Sequence, residues 1–93
     1  MAITITNVRF NGSVKEESEI IAYRWREIGS GKIGNDNKPD LVNWIKNQKG
    51  KAYVGTGSNR VDVGVVEPTH GAPYLRTYAD GRWTNNLVNL PIF

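Results

Sequence analysis

Residues 51–91 read KAYVGTGSNRVDVGVVEPTHGAPYLRTYADGRWTNNLVNLP, and the way this stretch alternates decides the fold. It divides into two β-hairpins in succession, Ala52–Val54 with Arg60–Val66 and then Tyr74–Tyr78 with Arg82–Thr84. Asp80-Gly81 lies between the strand-like flanks of the second hairpin. A type I′ turn needs positive φ at both central positions, which this dipeptide tolerates. The earlier turn, residues 55–59 (GTGSN), is longer and built from small polar residues, so its backbone N–H groups can face outward as a small anion nest. Val61, Val63 and Val65 alternate with Asp62, Gly64 and Val66, which commits one face to a core and leaves Asp62 facing solvent.

Upstream, Ile3-Thr4-Ile5-Thr6 alternates, Asn7 interrupts, and Val8-Arg9-Phe10 resumes one register out. A strand with a bulge near Thr6–Asn7 explains the slip, because one extra residue exchanges the two faces. Residues 14–19 are polar and read as a surface loop. Ile20–Ile28 is a second strand, with Ile21, Tyr23 and Trp25 on one face and Arg24 and Arg26 on the other beside Ala22 and Ile28. Residues 29–37 (GSGKIGNDN) read as a flexible connection. They fail as a phosphate-binding loop, which requires a Gly-Lys-Ser/Thr end at a helix start, whereas here Ile33 follows Lys32.

The spacing predicts a helix over Lys38–Gln48, capped by Asn37, with Pro39 in the first turn and Asp40 completing a weak capping box. Leu41, Trp44 and Ile45 form its docking stripe, Val42 widens it, and Gly50 follows as the C′ residue. Leu87, Val88, Leu90, Ile92 and Phe93 make an apolar tail expected to fold back on the core, a dimer contact being the alternative. The expected fold is a single α+β domain over residues 1–93. One α-helix packs on a mostly antiparallel, five- to six-stranded sheet built from hairpins.

A chain of 93 residues, 39% hydrophobic and 23% charged, is long enough for one core and too apolar for wholesale disorder. The absence of cysteine excludes disulfides, thiolate zinc sites and cysteine nucleophiles. The first residues carry no basic region followed by an apolar run, and no apolar stretch approaches the ~20 residues that span a bilayer. A soluble, cytoplasmic protein is expected. The net charge of +3 leans mildly towards anionic partners.

An ordered series of blocks carries a family resemblance: Tyr23-Arg24-Trp25, Val42-Asn43-Trp44-Ile45, Lys51-Ala52-Tyr53-Val54-Gly55, Arg60-Val61-Asp62-Val63, Tyr74-Leu75-Arg76-Thr77-Tyr78-Ala79-Asp80-Gly81, and the terminal Asn86-Leu87 with Leu90-Pro91. Together they resemble a family of small bacterial and phage proteins catalogued only as a domain of unknown function. The resemblance covers nearly the whole chain, apart from the acidic loop and the Gly/Asn-rich loop before the helix. It implies a shared fold and brings neither a chemistry nor site residues with it.

The chemistry must therefore come from the residues. His70, the only histidine, lies in a Pro/Gly loop with no serine or acid at triad spacing. One histidine, no cysteine and scattered carboxylates offer no metal-ligand spacing, and no cofactor is expected. Asp62 and Glu67 could flank a glycosidic bond, without any other carbohydrate signal. Binding is the better-supported reading. Arg24, Arg26, Arg60, Arg76 and Arg82 lie on or beside strands, with Tyr53, Tyr74, Tyr78 and Trp83 close in sequence, and Tyr74, Arg76 and Tyr78 share one strand face, which puts a guanidinium between two rings. Guanidinium groups pair with phosphate and aromatic faces stack on bases. The same residues also read as core aromatics covered by snorkelling arginines. The expectation is a non-enzymatic protein, a small homo-oligomer, that binds and sequesters a phosphate-bearing small molecule or nucleotide. Two alternatives stand beside it. One is a protein-interaction module, such as a phage-encoded inhibitor of a host protein; the other is a weak single-stranded nucleic-acid binder.

Overall fold

The computed structural model describes residues 2–55, 57–79 and 81–93. Its longest strand is β1 (Ala2–Phe10), followed by β2 (Ile20–Glu27), β3 (Ile33–Asn37), the helix α1 (Lys38–Asn47), β4 (Lys51–Val54), β5 (Val61–Val66), β6 (Tyr74–Ala79) and β7 (Arg82–Thr84). The strands form one sheet in the order β3-β2-β1-β4-β5-β6-β7. Every neighbouring pair is antiparallel except β1 with β4, which β2, β3 and α1 connect as a crossover. The α+β class stands. No helix among the described residues is long and apolar enough to cross a membrane.

β1 carries the bulge where the sequence places it. Ile5 lies opposite Trp25 and Asn7 opposite Arg24, so Thr6 has no partner. Ile5 and Val8 thereby point into the same core, at 1% and 0% exposure. A second shift sets Arg9 opposite Ala22 and Phe10 opposite Ile20, which skips Ile21. This corrects the expected β2 face: Ile20 is fully buried, and Ile21 is 40% exposed.

The sheet has seven strands rather than five to six, because residues 33–37 are β3 and not part of a flexible connection. Gly, Asn and Asp give this segment little intrinsic strand preference. Its neighbour supplies the order. The Trp25 ring lies where any Cβ on Gly34 would stand, and the Trp25 indole N–H donates to Asp36 Oδ2 at 2.8 Å.

At the helix start Asn37 Oδ1 accepts the Asp40 N–H at 2.9 Å, and Pro39 sits in the first turn. Leu41 and Val42 are buried against the sheet, with Trp44 and Ile45 packed partly beside them. The left-handed residue after the helix is Lys49 (φ 56) and not Gly50. Gly50 is required for a different reason: the Trp44 ring occupies the space its Cβ would need. Of the two hairpin turns, Gly81 has φ +78, while Asp80 and Thr56 lie outside the described residues.

β4 pairs only with Ala2–Thr4, which leaves the rest of that β1 edge open. The tail takes it. Val8 N–H donates to Pro91 O at 3.0 Å, Phe93 N–H donates to Val8 O at 3.2 Å, and Leu87 is fully buried. The 3-10 turn Glu17–Glu19, expected as plain surface loop, packs on β6 and buries Glu17.

Tyr23 fills the centre of the core at 0% exposure, and its hydroxyl has no partner of hydrogen-bond geometry among the described residues. Burial pushes this hydroxyl well above the usual tyrosine range, and the neighbouring Leu75 backbone opposes that shift only in part. The unfolded chain ionises Tyr23 near its ordinary value of ~10, and the folded chain holds the proton beyond it. The unfolded state then binds fewer protons, so stability is lost as pH rises above ~10. Urea unfolding of wild type and Tyr23→Phe, compared at pH 9 and pH 11, should show a smaller alkaline loss in the variant.

Candidate functional site

Because cross-strand partners share a face, the register sorts the sheet into two chemistries. The inner face, under α1, holds Ile3, Ile5, Val8, Tyr23, Val54, Val63, Leu75 and Thr77. On the outer face one row crosses every strand: Ile33, Arg26, Thr4, Tyr53, Asp62, Tyr78 and Trp83, each opposite the next. Arg26, Asp62, Tyr78 and Trp83 are exposed, and Tyr53 is half-buried.

The cations gather on the same face. Arg9, Arg24, Arg26 and Lys51 are partnered in register with outer-face residues, and Arg60 enters from the start of β5 with its guanidinium 4.1 Å over the Tyr53 ring. Arg76 shares this face by register and is paired with Glu17; the other five cations stand against Asp62. The two ion pairs among the described residues, Lys46–Glu67 and Arg76–Glu17, involve none of them. Arg9 and Arg24 instead lie over the Phe93 ring, at 4.4 and 4.7 Å, while the Arg24 Nε–H donates to Asn35 Oδ1 at 3.1 Å. Tyr78 and Trp83 meet edge to face at 5.2 Å, and the Trp83 ring reaches across β6 to rest on Gly64.

The residues singled out in the sequence fall into three groups. Arg24 and Arg26 lie on the outer face, on β2. Arg60 and Tyr78 line one cavity of about 320 Å³ together with Val61, Asp62 and Ala79. Tyr74 and Arg76 line a separate cleft of about 330 Å³ with Lys15, Glu16, Glu17, Ser18, Asn85 and Val88. Arg76 is on the same strand face as Tyr74 and Tyr78, but its guanidinium is occupied. Its Nε–H donates to Thr84 O at 3.1 Å and lies 3.4 Å from Glu17 Oε1, and Nη2 donates to Asn85 Oδ1 at 2.8 Å. That cleft has matched charges, Lys15 and Arg76 against Glu16 and Glu17. Arg76 acts as a strut between β6 and the turn before β2.

Sequence reasoning set Tyr53 and Trp83 beside the arginines without choosing them as site residues, and left out Arg9, Lys51 and Phe93. Tyr53 and Lys51 follow from alternation within β4, whereas Arg9 and Phe93 meet only because the tail pairs with β1. The candidate glycosidase pair separates: Glu67 is held by Lys46 of α1 at 2.9 Å, and Asp62 is on the face turned away from the helix. His70 is exposed, and among the described residues no three His, Cys, Asp or Glu gather as metal ligands.

The family described as protein of unknown function (DUF3892) matches residues 4–91. The chain belongs to this family. All seven residues of the outer-face row, from Thr4 to Trp83, lie within the matched span. No curated protein matches the chain, and no solved structure does either.

Two arginines separate strut from surface. Arg76→Ala strands the largely buried Glu17 and should cost about 1–3 kcal/mol in urea unfolding. Arg26→Ala touches no hydrogen bond or ion pair found here and should stay within ~0.5 kcal/mol of wild type.

Proposed function

We propose that this protein is a non-enzymatic binder of a phosphate-bearing nucleotide, held on the outer face of the sheet. One observation carries the reading: cations without ion pairs among the described residues and exposed aromatic rings occupy the same face, with Asp62 as the acid in their row. Arginine and lysine free of protein carboxylates retain their full attraction for phosphate. Tyr53, Tyr78 and Trp83 supply faces on which a base stacks, a contact worth ~1–3 kcal/mol per base. Arg9, Arg24 and Arg26 lie over β1 and β2, while Lys51 and Arg60 stand beside the rings of β4 to β7, which suits a ligand with a phosphate end and a flat end.

In this reading the protein works in the cytoplasm, where free nucleotides are, and acts by sequestration. The preferred centre of the site moves from Arg76 to Arg60 and Arg26, since Arg76 already has partners for its charge.

Equilibrium dialysis against labelled nucleoside monophosphates and triphosphates tests the reading, with a native mass spectrum reporting any co-purified ligand and the oligomeric state. Saturable binding is expected, weakened about tenfold or more in the Arg26→Ala, Arg60→Ala double variant through loss of charge-assisted contacts. Dialysis that retains no nucleotide, or a double variant that binds like wild type, contradicts it.

A further inference from the structure

Asp62 is the acid in the outer-face row, and its place is specific. It stands directly opposite Tyr53 on one side and Tyr78 on the other. The cavity of about 320 Å³ beside it is lined by Arg60 and Tyr78, so a flat guanidinium and an aromatic ring border the space above a carboxylate. Arg60 is already laid against Tyr53, which presents the guanidinium as a plane. The Asp62 side chain is exposed and makes no hydrogen bond or ion pair among the described residues. A volume of this order suits a small planar ligand.

A phosphate binder gains nothing from a carboxylate in its stacking region, because the charge repels the ligand's own anion. The carboxylate is useful only if the flat part of the ligand donates to it. An ionised carboxylate is purely an acceptor, with two oxygens side by side. Guanine matches that pair, since its N1–H and exocyclic N2–H donors lie next to one another on one edge. Adenine and cytosine place a ring-nitrogen lone pair beside the amino group, and uracil flanks its N–H with two carbonyl oxygens. Each of those would bring an acceptor against Asp62.

We propose that Asp62 is a specificity-determining residue that selects a guanine base. The two carboxylate oxygens accept N1–H and N2–H while the base stacks on Arg60 and Tyr78. The inference rests on the nucleotide reading above and adds the base to it.

The test is a dialysis panel of GMP, IMP, AMP, CMP and UMP against wild type and Asp62→Asn. Wild type should hold GMP about tenfold or more tighter than AMP, CMP or UMP, as a bidentate base contact discriminates. IMP, which keeps N1–H and lacks the N2 amino group, should fall between. Asp62→Asn replaces one acceptor oxygen by a donor amide and should abolish the GMP preference. Its exposed side chain predicts an unchanged urea midpoint. Should the variant fail to fold, the wild-type panel still decides. Nucleotides that all bind equally, or a GMP preference that survives Asp62→Asn, overturn guanine selection and leave the nucleotide reading standing. A panel in which no nucleotide binds overturns both.

Discussion

A strand in a sheet turns successive side chains to opposite faces, and β1 needs Ile3, Ile5 and Val8 all inside. Those positions do not fit a period of two. The unpaired Thr6 resolves the conflict by adding a residue between Ile5 and Asn7, with its hydroxyl donating to Arg24 O at 3.3 Å. The same displacement turns Arg9 outward, where it meets the Phe93 ring, and sets Asn7 rather than Thr6 opposite Arg24. Core and cationic face are therefore consequences of one irregularity. Without it, Val8 would face outward and Arg9 inward on β1, and the cost of a buried unpaired guanidinium would be added to the loss of one valine from the core.

Each of the three tryptophans lies against a glycine. Trp25 covers Gly34 and fixes β3 to β2; Trp44 covers Gly50 and fixes the end of α1 to the start of β4; Trp83 reaches Gly64 and spans from β7 to β5. Glycine weakens a strand by its entropy and its missing side chain, and a ring laid on it restores both packing and order. These three contacts join elements whose own sequences are weakly structured. They also keep Trp83 on the outer face, 42% exposed, rather than in the core.

Much of this was legible from residue order. The bulge showed as a broken alternation at Asn7, α1 showed through its Asn37 cap and its 41–45 stripe, and the hairpins showed through valine alternation and Asp80-Gly81. β3 was not legible, because its order comes from the Trp25 ring and indole bond, contacts made with another strand. Ile21 misled for a related reason: the second shift, at Phe10, is fixed by pairing and leaves no compositional mark. Of the residues singled out as a binding site, Arg24, Arg26, Arg60 and Tyr78 lie on the outer face. The role of Arg76 was hidden, since Glu17 and Asn85 reach it from distant segments, and the position of Asp62 between two tyrosines required the register of three strands.

The central claim is that the sheet's outer face, and not the helix side or the Arg76 cleft, holds a nucleotide. Amide chemical-shift mapping of ¹⁵N-labelled protein during a GMP titration addresses it directly. The shifts should concentrate at residues 24–26, 51–53, 60–62 and 78–83 and leave α1 still. Shifts confined to α1 and residues 67–73, or to Lys15–Ser18 with Arg76, would contradict it.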